Sequence, residues 1–289
     1  MMPLGLFGDP MLQNTFCHVP GIGLKTERKL WETGILSWYD LMRAASGDSR
    51  LKNLNRLEYY LEESIRRLEE ADSVYFARAL PSSEAWRFFP EFRRFAAYLD
   101  IETTGTVGAS DHITTIALYD GELISHYIYG YNLDSFIWDV QRYKVFVTYN
   151  GKSFDIPYIN RFFDINVGGA QIDLRFILHS LGYKGGLKGC EKQLGVKRDG
   201  LDGVDGYFAV LLWDEYRCHG NTRALETLLA YNVLDAVNLE TLMVMAYNEK
   251  LAGTPFADTH LLPLPEVPRN PFEPHEGTIK RIMNRFVRT

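Results

Sequence analysis

Asp100 and Glu102 stand two residues apart in the apolar run Ala96-Ala97-Tyr98-Leu99-Asp100-Ile101-Glu102. Positions two apart on a strand project from the same face. The run therefore puts two carboxylates side by side on an otherwise apolar surface. Clustered like charges are costly unless a cation intervenes. Thr103-Thr104-Gly105 ends the run, and α/β folds bind ligands at the crevices beside strand ends. Asp155 follows a second β-branched and aromatic run, Val145 to Tyr149, and should lie near the same sheet edge. The link Asn150-Gly151-Lys152-Ser153 offers backbone amides and a lysine, both suited to a phosphate. Tyr231 and Asp235 are four apart in a long apolar-periodic segment, so they share a helix face. An isolated Asp-x-Glu or Tyr-x-x-x-Asp is usually a surface feature; four acids and a tyrosine arranged on successive elements are not.

The elements that must position these groups follow from periodicity. His112–Tyr119 and Glu122–Tyr129 read as two strands joined by the turn Asp120-Gly121, a strong hairpin signal. Asp134–Gln141, Ser153–Phe163, Leu174–Leu181 and Leu187–Leu194 read as helices. Asn221–Tyr247 reads as one long helix with Leu225, Leu228, Leu229, Asn232, Asp235, Ala236 and Leu239 on one face. A hairpin followed by βα alternation gives an α/β fold, a mixed sheet flanked by helices. Ahead of it, residues 1–90 read as a helical region, clearest in Asn53–Ala71, where Leu54, Leu57, Leu61, Ile65 and Leu68 form an apolar stripe. The sheet domain is expected over residues 91–251. Residues 252–289 hold half of the 12 prolines. They read as an extended arm ending in a basic helix with Lys280, Arg281, Arg285 and Arg288.

The bulk numbers set bounds. A length of 289 residues suggests one or two domains. No apolar run approaches the roughly 18–20 residues needed to span a bilayer, and Met1–Pro10 lacks the pattern of a signal peptide. No membrane association is expected. Three scattered cysteines, Cys17, Cys190 and Cys218, argue against a disulfide framework and for a reducing, cytoplasmic setting. Cys17-His18 and Cys218-His219 are adjacent pairs, not zinc-ligand spacings, and read as unrelated core or surface residues. The net charge of −6 is unusual for a nucleic-acid enzyme. Two divalent ions among the acids would bring it to about −2, so acidity does not exclude a phosphate substrate.

The segments Leu99-Asp100-Ile101-Glu102-Thr103-Thr104-Gly105, Tyr149-Asn150-Gly151-Lys152-Ser153-Phe154-Asp155 and Tyr231-Asn232-Val233-Leu234-Asp235 resemble the three exonuclease motifs of the DEDD superfamily. The spacing of Tyr231 resembles its tyrosine branch, DEDDy. That branch includes the proofreading domains of family B polymerases, ribonuclease D and a bacterial ribonuclease-H-like group, and the last is the best match, over about Leu80–Glu249. The resemblance implies a ribonuclease-H-like fold and 3′–5′ exonuclease action on DNA or RNA with two Mg²⁺ or Mn²⁺ ions. Hard carboxylate oxygens suit those ions. By the same resemblance, Asp100 bridges both ions, Glu102 and Asp235 complete the nucleophile-side ion, and Asp155 supports the other. Tyr231 orients the attacking water, its ordinary pKa of about 10 making it a poor base at neutral pH. Asn150 and Lys152 are candidate substrate contacts, with turn chemistry and an exposed charge as the equal alternative. The glycine-rich stretch Gly185–Gly206 has no counterpart in the polymerase domains.

A second resemblance lies near the N-terminus. Val19-Pro20-Gly21-Ile22-Gly23-Leu24-Lys25 ahead of a short helix resembles a helix-hairpin-helix motif. Gly21 and Gly23 would permit a tight turn and close backbone approach, with Lys25 adding charge toward a nucleic-acid phosphate. The alternative is a plain αα turn packed by Ile22, Leu30, Ile35 and Leu41. Three functions stay open: an exonuclease, a nucleic-acid-binding protein that no longer cuts, and a ribonuclease-H-type endonuclease, which would not require Tyr231.

Overall fold

A computed structural model describes residues 11–47, 54–105, 111–198, 200–201 and 203–286. The first ten residues, Asn53 and Arg288, for which expectations are given above, lie outside them. A 3-10 turn, Leu12–Asn14, precedes α1 (Leu24–Glu32), α2 (Trp38–Gly47), α3 (Leu54–Glu69) and α4 (Ser73–Ala79). A tight helical stretch, Ser82–Phe88, runs through the short α5 (Phe89–Phe92) toward the sheet. Next come β1 (Ala96–Thr103), β2 (Ile113–Tyr119), β3 (Ile124–Ile128), α6 (Phe136–Asp139), β4 (Val145–Thr148), α7 (Asp155–Phe163) and β5 (Ala170–Asp173). The chain closes with α8 (Leu174–Ser180), α9 (Gly186–Leu194), α10 (Gly206–His219), α11 (Thr222–Leu251) and α12 (Glu276–Phe286).

The five strands lie in the order β3-β2-β1-β4-β5. The first three pair antiparallel, while β4 joins β1 and β5 joins β4 in parallel. Asp120 fixes the β2–β3 turn, its Oδ1 accepting from the amides of Glu122 at 3.1 Å and Leu123 at 2.8 Å. Side-chain alternation along β1 sorts the core into two layers. Ala97, Leu99 and Ile101 pack with Phe136, Ile156 and Ile159 under α6 and α7. Ala96 and Tyr98 face the opposite layer, with Val233, Ala236 and Leu239 of α11. Asp100 and Glu102 have that second parity, so they point at α11. This is the mixed α/β sheet expected, with helices on both faces.

α11 is long and apolar enough to cross a membrane, but 83% of its most apolar window is buried inside the protein. It is a core helix, apolar all round because neighbours surround it. Two elements escape the sequence reading. β5 is only four residues long and carries Gln171 and Asp173. α10 buries Phe208, Ala209, Leu212 and Trp213, yet Val210 and Leu211 blur the stripe.

The helical region shares its core with the sheet. Phe16, Trp31, Trp38 and Phe76 belong to the same apolar cluster as Trp86, Tyr247 and Leu251. Leu12 N donates to Glu91 Oε1 at 2.6 Å. Arg87 pairs with Glu27 at 3.0 Å and Glu84 at 2.8 Å, and Lys250 of α11 reaches Glu84 at 3.3 Å. His18 is a core residue that meets Ser64 Oγ at 2.9 Å, and all three cysteines are free.

Candidate metal centre

β1 delivers Asp100 and Glu102 from one face, and α11 brings Asp235 down onto them. Ligand oxygens of these three acids all lie within 4.8 Å of one another. Asn232, fully buried one turn before Asp235, ties helix to strand: its Nδ2 donates to Asp100 Oδ2 at 2.7 Å and approaches Asp100 O at 3.2 Å. Asp155 arrives from the other layer. It opens α7, and its Oδ1 accepts from Ile101 N at 3.3 Å, so the carboxylate is held at the sheet edge between the two acids of β1. It lines the same cleft without joining the tight trio.

The electrostatics are those of a site short of positive charge. Burial raises Asp100 well above the usual carboxylate range, and Asp235, Glu102 and Asp155 add to the rise. Glu102 is raised by burial and Asp235, with Lys188 opposing. Burial lifts Asp155 from 3.8 to about 7, against the backbone amides that hold its ionised form. Asp235 Oδ1 is buried and lies 2.5 Å from Arg198 Nη2. Three clustered carboxylates, with Asp100 and Glu102 raised chiefly by burial and further by their acidic neighbours, fit a hard divalent cation.

Tyr231 lines the cleft beside Asp235. Burial and the neighbouring acids push its hydroxyl far above the usual tyrosine value, so it stays neutral and can donate a hydrogen bond. Lys188 of α9 lies 4.4 Å over its ring and Arg198 at 5.3 Å. Lys188, Arg198 and Asn232 all escape the sequence reading as site residues. Asn232 was legible only as a polar interruption of the helix face, and the two cations sit in the glycine-rich stretch that motif comparison leaves blank.

The turn after β4 corrects an expectation. Two of its amides are taken inside the protein: Asn150 N and Lys152 N donate to the carboxylate of Asp173 at 2.7 and 3.2 Å. Lys152 Nζ turns to Ser82 Oγ at 3.0 Å and is absent from the cleft lining. Asn150 does line the cleft, and its Oδ1 accepts from Arg175 at 2.5 Å. Asn150 adopts φ +67°, and a Cβ on Gly151 would run into Thr148 at 2.3 Å. This turn is built by steric need and by Asp173.

The hairpin near the N-terminus lies outside this cleft. Gly21 takes φ +93°, Gly23 opens α1 with no side-chain cap, and Lys25 is exposed in the first turn. The element before it is the 3-10 turn Leu12–Asn14, not an α-helix.

None of the curated proteins compared with this chain matches it. Among solved structures, the family B DNA polymerase from the hyperthermophilic archaeon Pyrobaculum calidifontis is similar at 15% identity and a TM-score of 0.42. The match covers 58% of this chain and 27% of that one, so the chain spans about a quarter of the polymerase's length. A likeness at that level carries no argument about activity. A family model described as the RNase_H superfamily matches residues 97–247. The match runs from β1 almost to the end of α11, more than half of the chain and the whole stretch from Asp100 to Asp235; the chain belongs to the RNase_H superfamily.

Proposed function

We propose that the protein is a metal-dependent 3′–5′ exonuclease acting on DNA or RNA, with Mg²⁺ or Mn²⁺ held by Asp100, Glu102, Asp155 and Asp235. The observation that carries this reading is the meeting of Asp100, Glu102 and Asp235 in one buried cluster within 4.8 Å. Two such ions, when bound, supply Lewis-acid activation of water and charge neutralisation at the leaving oxygen. The remaining work belongs to the chain. Asn232 fixes Asp100 through its 2.7 Å hydrogen bond, so the carboxylate cannot rotate away from the cluster. Tyr231, kept neutral, orients the attacking water by donation rather than by taking its proton. Asn150 and the exposed Phe154 border the cleft where a terminal nucleotide would lie. Gly21, Gly23 and Lys25 are assigned to backbone phosphate contact away from the cut.

The test is cleavage of 5′-labelled single-stranded, duplex and hybrid oligonucleotides with Mn²⁺. Stepwise shortening from the 3′ end is expected. Internal cuts confined to the hybrid would point instead to ribonuclease-H-type action. Binding without any cutting would leave a nucleic-acid-binding protein.

A further inference from the structure

Resting on the metal-dependent reading, the inference concerns Arg198, in the segment between α9 and α10. Its side chain is 10% exposed and bridges two buried acids from different elements. One contact is well made: Nη1 donates to both oxygens of Glu191, at 3.0 and 2.7 Å. Glu191 is itself fixed by Asn238 Nδ2 at 2.7 Å, from the turn of α11 that follows Asp235. The other contact is of a different kind. Nη2 lies 2.5 Å from Asp235 Oδ1, yet neither atom has an aligned hydrogen bond among the described residues, and Nε also lacks one. Arg198 and Asp235 form a close ion pair between two buried groups.

The oxygen so held belongs to the cluster that fits a divalent ion. A divalent ion attracts a carboxylate more strongly than a guanidinium does at the same distance. It also needs inner-sphere oxygens that a guanidinium can only crowd. If Arg198 leaves Asp235, it is not stranded, because Glu191 keeps its charge paired through Nη1. Arginine suits this better than lysine: its planar fork can hold one acid while releasing another.

We propose that Arg198 is a resident counter-cation of the carboxylate cluster. It competes with the divalent ion for Asp235 and pivots onto Glu191 when the ion binds. Metal affinity is then set by a displacement as well as by ligands, and linkage makes the effect reciprocal: metal loosens Arg198 as much as Arg198 weakens metal.

The test is Mn²⁺ titration of the full-length chain, followed by the electron paramagnetic resonance signal of free Mn²⁺. Arg198→Gln should bind Mn²⁺ tighter, by about 5- to 150-fold for a coupling of ordinary size. The double variant Glu191→Gln/Arg198→Gln should do the same without a stranded buried glutamate. Unchanged or weaker binding by the double variant overturns the proposal. Asp235→Asn separates this from the parent reading: if it binds Mn²⁺ as the wild type does, the metal assignment itself is wrong. If no variant binds Mn²⁺, both fall together. A second measurement needs no substitution in the observed protein. In ¹⁵N-arginine-labelled wild type, the Arg198 side-chain resonance, identified by its loss in Arg198→Lys, should move with Mg²⁺ at the midpoint of binding. A resonance indifferent to saturating Mg²⁺ refutes the pivot.

Discussion

Two of the buried charge clusters in this molecule are built on opposite rules. Where the helical region meets α11, Glu27 and Glu84 are matched by Arg87 and Lys250, with contacts of 2.8 to 3.3 Å. Glu27 also accepts from Phe16 N at 2.6 Å and Cys17 N at 3.0 Å. In the cleft, Asp100, Glu102 and Asp235 crowd within 4.8 Å, and the one ion pair made to the three among the described residues is Arg198 with Asp235. Matched charge joins two parts of the chain. An excess of one sign weakens the fold locally and persists where a ligand of opposite charge completes it. Weighing acids against cations therefore separates scaffold from site more sharply than counting acids.

The difference predicts opposite responses to substitution, and these are the largest effects expected. Asp100→Ala or Asp235→Ala should abolish Mn²⁺-dependent cleavage while leaving the fold intact. Asp100→Asn should also stabilise the metal-free protein, since it removes a charge from a repelling set. Arg87→Met should do the reverse: destabilisation of about 3–5 kcal/mol, because buried Glu27 loses its cation and Glu84 keeps only Lys250, with the cleft chemistry unchanged in whatever fraction folds. Urea unfolding in chelator, beside a cleavage assay, measures both. If Asp100→Asn is the more destabilising of the two, the contrast between the clusters collapses.

Tyr231→Phe comes next. The ring stays, with Lys188 and Arg198 over it, and only the hydroxyl goes. A neutral, buried donor that orients water should cost less than the ~10²–10⁴-fold of a general acid–base partner, so a loss of about 10-fold or somewhat more is expected. Single-turnover cleavage at saturating Mn²⁺ reads it, and Mn²⁺ affinity should hold because no ligand oxygen is removed. An unchanged rate would reduce Tyr231 to packing and favour a ribonuclease-H-type site.

The pH dependence of metal stabilisation sharpens the same comparison. Asp155 sits at about 7 against an ordinary 3.8, chiefly through burial, and Asp100 and Glu102 are raised as well. An acid whose folded value is raised binds more protons folded than unfolded. The metal-free protein therefore loses stability as pH climbs from about 4 to about 7, and the loss from Asp155 is complete above that. Mn²⁺ binds the deprotonated native cluster, so the rise in Tm between chelator and millimolar Mn²⁺ should be larger at pH ~8 than at pH ~5. A Tm indifferent to Mn²⁺ at both values would count against an assembled site.

Much of this is legible in the sequence. Strand parity placed Asp100 and Glu102 on one face, helical spacing put Tyr231 beside Asp235, and the Asp120-Gly121 turn fixed the hairpin. Those signals are local and periodic. The rest depended on contacts between distant segments. β5 is a strand because β4 offers it a partner, not because four residues with two polar ones prefer to be extended. Asn150 and Lys152 looked like phosphate ligands because nothing local shows that Asp173, more than 20 residues on, takes their amides. Arg198 and Glu191 lie seven residues apart with no motif; only the fold sets them against Asp235. Charge pairing across a core has no sequence period, so the cations of this cleft could not be read in advance.

The smallest effect expected tests what the matched cluster is for. Glu27 and Lys25 share α1 and point apart: Glu27 is fully buried against Arg87, while Lys25 is exposed beside the Gly23 start of the helix. The paired cluster thus anchors the helix whose outer end carries the proposed phosphate contact. Removing the first 47 residues would take Phe16, Trp31 and Trp38 out of the shared core, so truncation would confound grip with folding. Lys25→Gln avoids this, since it touches an exposed side chain alone. Losing one phosphate contact should weaken duplex binding only a few-fold at low salt and lower the slope of log affinity against log salt by about 1. Cleavage of short single strands should not change. The measurement is fluorescence anisotropy with duplex DNA across a salt series. If slope and affinity match the wild type, the Gly21–Lys25 turn is packing at the edge of the scaffold. The paired cluster beneath it would then serve the fold alone.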